Sequence, residues 1–161
     1  MFPIIPANSA TGASENDEGI FGFGTGPTDV TNLVSNTGVV SSDVAGVGTA
    51  RIGPAACEYG GDKGIFGFGR NGGPTNVTNL VSNAGVVASD QAATTGTGGQ
   101  YLGACGYGED KGIFGQGTTD GGYYGVSTTN LVSNTGVVAS DVAGAGTARF
   151  IVAACEYGCD K

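Results

Sequence analysis

The sequence predicts an all-β fold assembled from three tandem copies of one four-stranded unit. Two observations carry this. Glycine supplies 33 of the 161 residues, Trp is absent and only 12% of residues are charged, a mix poor in strong helix formers and suited to short strands and tight turns. Three phrases also recur in fixed places. Gly-Ile-Phe-Gly-Phe-Gly starts at Gly19 and Gly64, and Gly-Ile-Phe-Gly-Gln-Gly at Gly112. Thr-Asn-Leu-Val-Ser-Asn starts at Thr31, Thr78 and Thr129. Ala-Cys-Glu-Tyr-Gly starts at Ala56 and Ala154, with Ala-Cys-Gly-Tyr-Gly at Ala104. The recurrence, every 45 to 51 residues, separates the chain from glycine-rich disorder, which has no such order.

The middle copy shows the elements in turn. A first strand, Ala55–Tyr59, is an apolar run ending at Gly60. Gly61-Asp62-Lys63 turns the chain into a second strand, Gly64–Gly69. The third strand is Val77–Ser82, and Asn83-Ala84-Gly85 turns it back, since Asn and Gly tolerate positive φ. The fourth is Val86–Ser89, closed by Asp90. Two hairpins in series form a meander, and four short strands per period of about 40 to 50 residues are the pattern of a propeller blade. The expected fold is therefore a β-propeller with three four-stranded blades per chain.

The repeated region, residues 17–161, opens with a second strand and finishes with a first strand, Ala153–Tyr157. Closure by strand exchange between the chain ends follows from that order. A propeller needs about four to eight blades. Two arrangements stay open: a six-bladed ring of two chains, or a tight three-bladed monomer in which Cys57, Cys105 and Cys155 meet around a pseudo-axis. Residues 1–16 fall outside the repeats. Two prolines deny them ladder donors, and they read as an extended docking arm that inserts Phe2, Ile4 and Ile5 into a partner.

Several residues together suggest a family. Thr49-Ala50-Arg51, then Ala55 to Gly60, then Asp62 to Gly69 resembles the kelch pattern, which runs from an Arg through a small-residue strand into an aromatic strand ending in glycine. The resemblance spans Asp17 to Lys161 but lacks the strand-four Trp and the double glycine of eukaryotic kelch, and Gly99 stands where the other copies have Arg51 and Arg149. The wording of the repeats is also similar to kelch-like proteins of tailed bacteriophages. That likeness implies a virion component (a fibre, tail or capsid-surface decoration), assembled in a host cytoplasm and contacting other virion proteins or a host-surface glycan.

Chemistry is bounded by what the chain lacks. It has no His, so neither a Ser-His-Asp nor a Cys-His arrangement exists. A net charge of −8 opposes a phosphate backbone, which argues against nucleic acid. No apolar run approaches the roughly 18 residues of a membrane span, and Met1 to Pro6 has no basic segment of the kind that opens a secretory signal. The repeat-equivalent Cys57, Cys105 and Cys155 read as buried small thiols rather than a disulfide framework or a metal site; Cys159 is the extra one, a free or intermolecular thiol. Asp43, Asp90 and Asp141 recur after strand four, and Asp62, Asp110 and Asp160 before or beside a turn Lys; both sets read as turn caps, and no acidic loop has EF-hand spacing. No catalytic residue, metal or cofactor is expected, and the chain reads as a structural or interaction protein, not an enzyme.

Symmetry breaks where recognition would reside. The loops from Gly24 to Asn32, Gly69 to Asn79 and Gly117 to Asn130 span 8, 10 and 13 positions, and variable loops on a rigid scaffold commonly carry binding. The second holds Arg70 and Asn71, the third Tyr123 and Tyr124. Tyrosines on such a loop stack on a sugar or dock a protein, or pack locally over the blade edge. A lectin-like carbohydrate-binding module is the alternative reading, and a glycoside hydrolase using a carboxylate pair a remote one.

Overall fold

The computed structural model describes residues 17–91, 96–121 and 124–158. Every regular element among them is a β-strand. The first unit contributes β1 (Gly19–Gly24) and β2 (Thr28–Val34), paired as a hairpin. The second contributes β3 (Ala55–Tyr59), β4 (Lys63–Gly67) and, after a short ribbon of β5 (Arg70–Asn71) and β6 (Gly73–Pro74), β7 (Thr78–Val81). The third contributes β8 (Gly103–Tyr107), β9 (Lys111–Gly115) and β10 (Thr129–Val132). Both three-stranded sheets are antiparallel meanders with the second strand in the middle: β3-β4-β7 and β8-β9-β10.

The first strand falls on the expected residues, but the second ends two residues early in the middle unit. Phe68 takes a left-handed backbone, φ 64°, and so do its counterparts Phe23 and Gln116 at 63°. That conformation breaks the ladder after Gly67 and bends the chain into the loop. The expected fourth strand is the larger difference. The turn before it forms, with Gly85 at φ 70° and its amide 2.9 Å from the Ser82 carbonyl. Beyond it, among the described residues, only isolated bridges such as Val81↔Val87 and Thr78↔Gln91 continue the pairing. Asn79 supplies the reason. Its side-chain amide donates to the Ala88 carbonyl at 3.1 Å and to Asp90 at 2.9 Å, so a side chain takes the place of regular ladder bonds.

The core lies between sheets. Tyr59, Ile65 and Phe68 of the second unit pack with Phe114, Val132 and Val138 of the third, while Phe66, Val81 and Val87 gather Ile20 and Phe23 from the first. The two interfaces repeat each other. Phe23 meets Phe66 edge-on with centroids 5.1 Å apart, and Phe68 meets Phe114 at 5.1 Å, each pair worth about 0.5–1.5 kcal/mol beyond area burial. An added Cβ on Gly85 would strike Leu33, and one on Gly136 would strike Leu80. The Tyr101 amide donates to the Gly53 carbonyl, and the Ile151 amide to the Tyr101 carbonyl, both at 3.0 Å. Each unit thus grips the previous one at equivalent positions.

The chain ends are not joined in this structure. Residues 153–157 lie outside any sheet and are exposed except for Val152 just before them, which is half-buried. Among the described residues β1 pairs with β2 alone. The docking-arm residues Phe2, Ile4 and Ile5 lie outside the described residues.

Candidate functional site

The variable loops emerge at corresponding places in successive units. Arg70 is half-buried, bridged through its backbone to Ile52, and Asn71 is exposed beside it in the β5–β6 ribbon. Tyr124 stands 77% exposed, its amide 3.4 Å from an Asp120 carboxylate oxygen. Local packing over an edge therefore does not account for Tyr124. Tyr123 lies outside the described residues. Arg70 and Asn71 sit on the second unit and Tyr124 on the third, so these three candidates belong to separate loops and not to one pocket.

The polar residues that the structure does bring together are others. Asp90 accepts from the Thr49 hydroxyl at 2.6 Å, the Thr49 amide at 3.0 Å and the Asn79 amide at 2.9 Å. Asp141 repeats the motif with the Thr97 amide at 3.1 Å and Asn130 at 2.8 Å. These aspartates are therefore clasps between neighbouring units, a larger role than the turn cap expected for them. Asp43, the first of the series, accepts from Asn32 at 2.9 Å. Burial works against the charge on Asp90, but the bonds from Thr49 and Asn79 and the nearby Arg51 charge outweigh it and hold the carboxyl below its usual range. Asp141 is lowered in the same balance, burial opposed by Asn130 and Thr97.

Arg51 completes the first clasp. It is fully buried, its Nε donates to the Phe68 carbonyl at 2.7 Å, and its guanidinium lies 4.1 Å over the Phe23 ring. Burial lowers its pKa to about 10, with Asp90 pulling the other way, so it stays charged at neutral pH. The sequence signal for this network was the recurring Thr, Asn and Asp; nothing in a linear reading says that Asp90 reaches back to the unit before.

The first strands line up in a row, as their small residues allow. Cys57 and Cys105 are half-buried and Cys155 is exposed, so none of the three is the buried thiol expected, and the last lies outside any strand. Burial pushes the Cys57 thiol up to about 12, partly offset by a backbone hydrogen bond from Ile113, with Cys105 and Glu58 adding to the rise. Cys105 is raised by burial and then by Cys155 and Glu156. Neighbouring influence thus runs from 57 to 105 to 155. Cys159 lies outside the described residues. Across Gly106, Glu58 shares a hydrogen bond with Glu156; burial first, then that bond and the second charge, raise the Glu58 carboxyl. Carboxyls in such direct contact leave no room for a glycosidic bond between them. Among the described residues no group of three or more His, Cys, Asp or Glu side chains could hold a metal ion.

Between the first two units lies a cleft of about 210 Å³, bordered by Gly19 and Ile20 of β1 and by Ala56, Cys57 and Glu58 of β3. Its floor is apolar (Ile20, Leu33, Ile65, Phe66 and Val81), and Glu18, Glu58, Asp62, Lys63 and Ser82 also border it. Set against known proteins, the chain matches no family model, and the comparison with curated proteins gives no match.

Proposed function

We propose that the chain is a structural or interaction protein: a stack of kelch-like propeller blades that holds recognition loops in fixed relation. The observation that carries this reading is the repetition, at equivalent positions, of the aromatic pairs, the Thr–Asp clasps and the glycine turns between units. The buried polar groups join unit to unit, and the loops between second and third strands vary in length on top of that constant frame. The kelch-like sequence pattern supports blades as the form of the units.

The setting we infer is a bacteriophage virion, in a fibre, a tail or a capsid-surface decoration, on the strength of the similarity of the repeats to phage kelch-like proteins. Mass spectrometry and immunogold labelling of purified particles test it. Labelled particles are the expected result; a protein confined to the lysate and absent from particles overturns it.

The exposure of Tyr124 favours a second reading, a glycan-binding module in the same setting. A glycan array separates the two. Binding that disappears in Tyr124→Ala supports the lectin reading, and no binding at all leaves protein partners as the ligands of the loops.

A further inference from the structure

We propose that the pocket between the second and third units binds a guanidinium group, in the place that an arginine of the chain itself fills one junction earlier. The inference rests on the repeat geometry and not on the virion setting. At the first junction Arg51 lies fully buried between units. Its guanidinium lies 4.1 Å over the Phe23 ring, its Nε donates to the Phe68 carbonyl at 2.7 Å, and its Nη1 donates to the Thr49 carbonyl at 3.2 Å. The Asp90 carboxylate stands nearby. The second junction repeats these surroundings without the arginine, because Gly99 occupies the position of Arg51.

A pocket of about 200 Å³ opens there. Each partner of Arg51 has its repeat equivalent on the border: Phe68 for Phe23, Gln116 for Phe68, Thr97 for Thr49 and Asp141 for Asp90. The frame behind them also repeats. Asp141 holds the Thr97 amide and Asn130 as Asp90 holds the Thr49 amide and Asn79. A Cβ on Gly96 would meet Asn130 and Asp141, as one on Gly48 would meet Asn79 and Asp90. Phe68 and Gly99 are buried, while Thr97 and Asp141 are exposed at the mouth.

The lining selects the ligand. Among the described residues that border the pocket, Asp141 alone is charged. Asp90 has the Arg51 charge beside it, and no cation of the described residues acts on Asp141. A carboxylate next to an aromatic face attracts an organic cation. The flat guanidinium covers a ring and points several N–H groups at carbonyls and a carboxylate together, which a compact ammonium or a metal ion does not. The volume is far above the roughly 10–15 Å³ that one water needs and below the roughly 300 Å³ at which drug-sized sites begin, so it suits a group the size of one side chain. A free guanidinium compound and an arginine side chain of a partner protein both supply that group.

Titrating the 15N-labelled full chain with methylguanidinium, and with the peptide Gly-Gly-Arg-Gly-Gly, tests this by NMR. Saturable shifts are expected at the Thr97 and Gly99 amides and at the Asn130 side chain. The same peptide with neutral citrulline in place of arginine should bind about tenfold or more weakly. Binding of both probes identifies a partner's arginine as the source; binding of methylguanidinium with the peptide excluded identifies a free small compound. Gly99→Arg refills the pocket from within and should abolish binding. The backbone there is not left-handed, and a Cβ would lie 3.8 Å from Phe68 Cδ1 and 3.3 Å from the tip of Leu102. The citrulline comparison uses the unaltered protein, so it decides whether or not that variant folds. Absence of saturable shifts at these groups, equal binding of the citrulline peptide, or binding that survives in folded Gly99→Arg overturns the proposal.

Discussion

Gly67 marks a point where two units touch too closely for any side chain, and adding one carbon there has a calculable effect. A Cβ at Gly67 would lie 2.7 Å from Phe114 Cζ and 3.1 Å from both Cε atoms, where ordinary carbon contacts need about 3.5–4.0 Å. Phe114 is 0% exposed, so its ring has nowhere to retreat. Overpacking of this kind costs about 1–3 kcal/mol. The backbone at Gly67 is ordinary strand, and alanine in a strand returns about 0.5–1 kcal/mol of glycine's entropy loss. The net expectation for Gly67→Ala is a loss of about 1–2 kcal/mol, or about 2–8 °C in melting temperature for a chain of this size. The equivalent positions provide the control. At Gly22 the contacts are 3.0 Å to Phe66 Cζ and to Thr31 Cγ2, and at Gly115 the nearest atom is Thr129 Cγ2 at 3.0 Å with no ring from a following unit. Calorimetry should therefore rank the alanine variants Gly67 worst, Gly22 intermediate and Gly115 near neutral. Phe114→Leu should relieve Gly67→Ala in a double-mutant cycle. Equal losses at all three glycines would refute the stacking argument.

Three further outcomes follow from the clasps and the row of first strands. Asp90→Ala leaves Asn79 buried without its carboxylate partner and removes the bonds from Thr49; a loss of about 2–3 kcal/mol in urea titrations is expected. Asp90 and Asp141 have lowered native pKa values, so their stabilisation is present above the ordinary carboxylate range of about 4 and lost as pH falls through the native values. Asp90→Asn should accordingly flatten the acid limb of a melting-temperature profile, and an unchanged limb would exclude the clasp as its source. Glu58 has a raised native pKa, so its contribution is present at acid pH and lost as pH rises through that value. Glu58→Gln should then raise the melting temperature at pH 7 and not at pH 4. Cys57, with its thiol near 12, should resist alkylation at pH 8 under conditions that modify Cys155 in dilute protein, as peptide mapping would show.

The parts of the fold visible in the sequence were those set by local chemistry. Ala55–Tyr59 ends where two glycines turn the chain, and the structure ends the strand there too. Val86-Val87-Ala88-Ser89 has the composition of a strand, yet Asn79 spends its amide on the Ala88 carbonyl, and side-chain competition of that kind leaves no mark in a propensity. The clasp was half visible. The recurrence of Asp43, Asp90 and Asp141 announced a shared role, but the partner of Asp90 is Thr49, 41 residues earlier, in the irregular stretch before β3. Loop candidates could be named from length differences alone. Whether Arg70 and Tyr124 share a site depends on how units are arranged in space, and the structure sets them on different ones.

The Thr–Asp and aromatic contacts between units run in one direction only, from each unit to the one after it. A recombination between two copies of Thr-Asn-Leu-Val-Ser-Asn would delete or add a unit and leave that polarity untouched. Length is thus free to drift in a lineage without any matching change in how one unit meets the next.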